Sequence, residues 1–160
     1  MTTSLVVWSF DLPDSADDVI RRMQRLEDRG RLTPVQDLAV VSWPAGGVRP
    51  RARQVTSVDT LRPVSGAFWG HLFSMAYLVP LIDGSAALSG NVLAGVGLPD
   101  EVIGTLHNTV GPSSSALLIL IGDEAANRLR EQLRSPTNCW SRQLTDHEHD
   151  RLHHAFGLDD

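Results

Sequence analysis

The sequence predicts an α+β fold. Strand-like runs at Leu5 to Phe10 and at Ser115 to Ile121 are each followed by an amphipathic helical pattern and then by a second strand-like run. Between these two units lies a segment of different character, apolar and rich in small residues, from about Val64 to Gly97. At 160 residues a single domain, 1–160, is expected, because two domains of about 80 residues would each have a marginal core.

Leu5-Val6-Val7-Trp8-Ser9-Phe10 is β-branched and aromatic, and Asp11 to Asp14 with Pro13 ends it, so a largely buried first strand is expected. Ser15 and Asp18 are spaced as a capping box. Val19, Ile20, Met23 and Leu26 recur at helical spacing, and Gly30 suits the C-terminal cap. Leu38 to Trp43 is expected to be a second strand, followed by a turn at Gly46-Gly47 and a return strand over Arg51 to Ser57.

Beyond the apolar middle, Pro99 stands at a natural first helical position. Asp100 and Glu101 follow it in the first turn, and Gly111-Pro112 ends the helix. The unbroken apolar run Ser115 to Ile121 fits a central strand covered on both faces. A helix over Asp123 to Arg134, a last strand over Asn138 to Leu144, and a closing helix opened by a Thr145/Glu148 capping box complete the chain. Two strand-helix-strand units sharing one sheet are the ferredoxin-like split βαβ arrangement, here with an inserted small-residue-rich apolar helical hairpin.

In that hairpin, 64–97, Pro80 and Asp83-Gly84 divide two helical halves. Gly66, Gly70 and Ser74 fall on one face of the first half, and Ala86, Gly90 and Ala94 on one face of the second, a pattern that lets two backbones approach closely. Each half is shorter than the roughly 20 residues that cross a hydrocarbon core, and His71, Asp83 and Asn91 are poorly suited to lipid. The six small residues are therefore the expected interface of a homo-oligomer.

A formal charge of -5 argues against a dedicated nucleic-acid binder, since phosphate neutralisation needs a dominant basic surface. One cysteine, Cys139, excludes an internal disulfide, and no secretory leader pattern opens the chain, so the reducing cytoplasm is the expected compartment. Arg49, Arg51 and Arg53 alternate along one strand face near Arg62. They could meet anionic lipid at the inner face of the membrane, or simply guard a strand edge.

Gly66-Ala67-Phe68-Trp69-Gly70, the glycine-spaced stretch up to Gly97, Pro99-Asp100-Glu101 and Gly111-Pro112-Ser113-Ser114-Ser115-Ala116-Leu117 together resemble the uncharacterised bacterial family called domain of unknown function 1269. Its members are often labelled predicted membrane proteins. The likeness covers nearly the whole chain, and the Gly-Pro-Ser-Ser-Ser-Ala-Leu stretch is its most specific part. The resemblance implies a shared architecture and no known reaction, so no catalytic residue is carried over. The chain departs from the family pattern in a hairpin poorer in glycine and in carrying His71 and Asp83.

No phosphate loop, paired catalytic carboxylates or zinc-spaced cysteines occur in the sequence, and no cofactor is expected. His149 and His153, one helical turn apart, could place two metal ligands on one face, but two ligands do not make a site. A ligand pocket between sheet and hairpin would draw on His71, Tyr77 and His107. Ser113 to Ser115 fit a backbone-capping turn, and Cys139 fits a buried, inert thiol. The reading that best joins these features is a non-enzymatic, homo-oligomerising structural protein. A membrane-associated protein with the hairpin in one leaflet, and a ferredoxin-like dimeric enzyme or small-ligand binder, are the alternatives.

Overall fold

The computed structural model describes residues 3–47, 50–55, 57–61, 69, 72, 100–133, 136–146, 148 and 150. The chain is α+β. Its strands are β1 (Thr3–Phe10), β2 (Asp37–Ser42), β3 (Arg51–Gln54), β4 (Ser115–Gly122) and β5 (Asn138–Gln143), and its described helices are α1 (Ser15–Asp28), α2 (Asp100–Thr109) and α3 (Asp123–Gln132). The strands form one sheet in the order β3-β2-β4-β1-β5, with every neighbouring pair antiparallel. β1 and β2 both run antiparallel to the β4 between them, so the connection through α1 joins parallel strands, and the connection through α3 joins β4 to β5 in the same way.

Register sorts the side chains into two faces. Val6, Trp8 and Phe10 of β1, Leu38 and Val40 of β2, and Leu117, Ile119 and Ile121 of β4 share one buried cluster with Ala16, Val19, Ile20 and Met23 of α1 and Leu129 of α3. On the other face lie Leu5, Val7, Ala39, Val41, Ala116, Leu118 and Leu120, every one of them also buried. β1 is buried along its whole length and β4 up to Gly122, as the uninterrupted apolar runs led one to expect.

The ends of α1 illustrate local and remote capping. At the C-terminal end, Gly30 has φ of +67°, its N–H donates to Glu27 O at 2.9 Å, and Arg31 N–H donates to Leu26 O at 2.8 Å, which is the Schellman arrangement expected of a glycine there. At the other end the expected Ser15/Asp18 capping box is absent. Asp14 is the N-cap, and it makes no side-chain cap bond. Ser115 substitutes from the first residue of β4: its fully buried Oγ accepts the Ala16 N–H at 3.2 Å and donates to Leu12 O at 2.7 Å. A capping serine thus comes from far along the chain, because the β1–α1 turn lies over the start of β4.

Element ends also shift from the expected bounds. β2 begins at Asp37, one residue before the apolar run, and ends at Ser42; β3 is only Arg51–Gln54. Ser113 takes φ of +67°, while Ser114 Oγ accepts the Gly111 N–H at 2.9 Å and donates to Gly111 O at 2.7 Å, so the serine turn is a backbone cap as expected.

Ser115→Ala is expected to cost about 1–3 kcal/mol, since it leaves the buried Ala16 N–H without its acceptor and takes one donor from the Leu12 carbonyl. Ser113→Gly is expected to gain a fraction of about 1 kcal/mol by relieving the left-handed backbone. Urea denaturation of the two variants should therefore move the midpoint in opposite directions.

Candidate functional site

The far face of the sheet carries one buried acid. Asp37 opens β2, is 1% exposed, and shares its side of the sheet with Leu120 and Leu5. Burying a carboxyl group in apolar surroundings is costly unless donors surround it. Here three do: Leu38 N–H reaches Oδ1 at 2.8 Å, and Gln54 Nε2 and the Trp69 indole N–H reach Oδ2 at 2.8 and 3.0 Å. Trp69 is itself 2% exposed and Leu72 is fully buried, while neither belongs to the cluster under α1 and α3. Trp69 therefore meets the sheet on the face opposite α1 and α3, where its indole N–H donates to Asp37.

Neither Asp37 nor Trp69 is given a site role by the sequence, where Trp69 enters only within the Gly66 to Gly70 stretch of the family resemblance. An aspartate one residue before a strand reads as a turn residue, and a tryptophan inside an apolar stretch reads as bulk. Only tertiary structure pairs the two, and no spacing rule spans that separation.

Of the residues expected to form sites, Gly66, Gly70, Ser74, Ala86, Gly90 and Ala94, together with Arg49, Arg62, His71, Tyr77, His149 and His153, lie outside the described residues. Arg51 and Arg53 do share a strand face, on the α1 side of the sheet, and Arg53 forms an ion pair with Asp17 of α1. His107 is exposed in the last turn of α2. Cys139 is exposed, contrary to the expected burial, because β5 is an edge strand; its Sγ lies 3.3 Å from Arg130 Nη2.

The Thr145/Glu148 capping box forms as expected. Thr145 N–H donates to Glu148 Oε1 at 2.9 Å, Glu148 N–H donates to Thr145 Oγ1 at 3.1 Å, and Arg142 Nη1 donates to Glu148 Oε2 at 3.1 Å. Partial burial alone would raise the pKa of Glu148, but the Thr145 N–H and the Arg142 guanidinium outweigh it and hold the carboxyl group below the usual glutamate range. A cleft of about 330 Å³ between α1 and α3 is lined by Asp18, Arg22, Arg25, Glu131 and Gln132. Its polar groups are partly spent already, since Arg22 Nε donates to Gln132 O and the Gln132 amide bridges Thr33 and Arg31. Among the described residues no group of three or more His, Cys, Asp or Glu could hold a metal ion, and no helix is long and apolar enough to cross a membrane.

A two-layer αβ unit with a third layer begun by a docked tryptophan defines an α+β protein with no described catalytic constellation. The model of the family described as Protein of unknown function (DUF1269) matches residues 63–157, more than half of the chain, and the chain belongs to that family. No curated protein and no solved structure matches it.

Asp37→Ala is expected to cost about 1–3 kcal/mol by removing the carboxylate that accepts from the Leu38 N–H, the Gln54 amide and the Trp69 indole N–H. In a double-mutant cycle with Trp69→Phe the two changes should be less than additive by about 1 kcal/mol, whereas strict additivity would show that the bond contributes nothing. For Glu148, a folded value below the unfolded one stabilises the native state above the ordinary glutamate range and is lost as pH falls through the folded value. The stability difference between the native chain and Glu148→Gln should accordingly be present at neutral pH and vanish in acid.

Proposed function

We propose that the chain is a non-enzymatic, self-associating structural module of the cytoplasm. On this reading the sheet is a ferredoxin-like split βαβ, in which β5-β1-β4-β2 is the core order and β3 an added edge. The segment 64–97 is its inserted helical hairpin.

The burial of Trp69 on the far face, with Leu72 also buried three residues on, carries the proposal. With about 100° per residue in a helix, Gly66, Gly70 and Ser74 fall roughly a third of a turn away from the Trp69/Leu72 side. On this reading the small-residue stripe is turned from the sheet toward another backbone. Ala86, Gly90 and Ala94 supply the matching stripe on the second half, and close approach of two such stripes gains dispersion contact. A second copy of the chain offers both stripes.

Arrangement of the arginines favours protein over lipid as the hairpin's partner. A leaflet-dipping hairpin steadied by Arg49, Arg51, Arg53 and Arg62 needs the charges and the apolar segment on one side. Arg51 and Arg53 instead face the α1 side, and Arg53 is engaged by Asp17, while Trp69 docks on the opposite face.

Gly70→Leu combined with Gly90→Leu should lower the light-scattering mass of the purified chain while circular dichroism stays native. An unchanged mass in a folded double variant would falsify the hairpin contact.

A further inference from the structure

The sheet ends in two unequal edges. β3 is four residues long and carries Arg51 and Arg53, charges that oppose pairing with another strand. β5 is six residues long, and Asn138, Cys139, Ser141 and Gln143 are exposed. Its only charge, Arg142, donates to Glu148. Leu144 N–H donates to Thr3 O at 2.8 Å, and in the same phase Leu5 with Arg142 and Val7 with Trp140 are the hydrogen-bonded pairs. The backbone groups of Cys139, Ser141 and Gln143 therefore point away from β1, and no described backbone group meets them.

We propose that β5 is a homodimer interface, in which two copies of the chain align β5 antiparallel about a twofold axis and continue one sheet across both. A second copy is the occupant that fits. Its own outward donors and acceptors repeat with the same period, so each copy satisfies the other. The registers centred on Trp140 or on Ser141 set Trp140 opposite its counterpart or opposite the Arg142 of the second copy, both favourable cross-strand pairs. Pairing β3 with β3 would set arginines against arginines. Pairing β3 with β5 would be head-to-tail and would not close, whereas β5 with β5 closes at two.

This interface is separate from the hairpin contact, and the two can fail independently. Ser141→Pro removes an outward N–H that β1 does not use, and Ser141→Lys adds like charges at the proposed axis while keeping the backbone intact. The full chain is expected to sediment as a dimer or a multiple of one, and a bis-maleimide should join the exposed Cys139 thiols of two copies. Both variants should halve the mass and lose the cross-link, with native circular dichroism for at least Ser141→Lys. In Gly70→Leu with Gly90→Leu the Cys139 cross-link should survive even where a larger mass collapses. A monomeric native chain, or a folded Ser141→Lys that keeps both mass and cross-link, overturns the proposal.

Discussion

A sheet whose central strands are apolar on both sides has to be covered twice, and the rest of the molecule follows from that constraint. Antiparallel sheets commonly leave one face to water. Here β1 and β4 allow no such face, since Leu5 and Val7 are as deeply buried as Val6 and Trp8, and Leu118 and Leu120 as deeply as Leu117 and Ile119. α1 and α3 close one side. Trp69, Leu72, Val110 and Leu144 are the described buried hydrophobic residues outside both that cluster and the strands, and Trp69 shows by its bond to Asp37 that the far side is where it packs. Trp69 and Leu72, the described residues of the apolar segment, are thus part of the core.

Non-directional burial does not by itself choose where a cover sits, and buried polar groups supply the choice. Asp37 can lie at the foot of β2 only while Gln54 and Trp69 supply donors, so displacing the segment exposes a penalty of unmet hydrogen bonds as well as lost apolar contact. Ser115 does the same for the helical layer, tying the first turn of α1 to the first residue of β4. The Gly-Pro-Ser-Ser-Ser stretch thereby acquires a physical account. Ser114 closes the turn on Gly111, Ser113 accepts a left-handed backbone, and Ser115 reaches across to α1.

What the sequence made legible was whatever depends on near neighbours in the chain. The burial of β1 and β4, the apolar stripe Val19, Ile20 and Met23, the glycine cap at Gly30 and the Thr145/Glu148 box are all set by residues within a few positions of one another. Ser15 looked like the cap of α1 because the local rule names the nearest hydroxyl, yet the native hydroxyl comes from Ser115, which only the folded sheet brings near. Cys139 was misjudged for a related reason: burial in a strand depends on its place in the sheet order, and β5 stands at the end of it. Asp37 and Trp69 are each unremarkable in sequence and meaningful only as a pair.

The two association surfaces proposed above differ in kind. The proposed hairpin contact rests on side-chain and backbone packing, whereas the proposed β5 contact rests on main-chain hydrogen bonds within the plane of the sheet. The two proposed contacts share no residues, so the loss of one leaves the other in place. At the opposite end of the sheet the short β3 edge carries Arg51 and Arg53, charges that oppose the addition of a further strand.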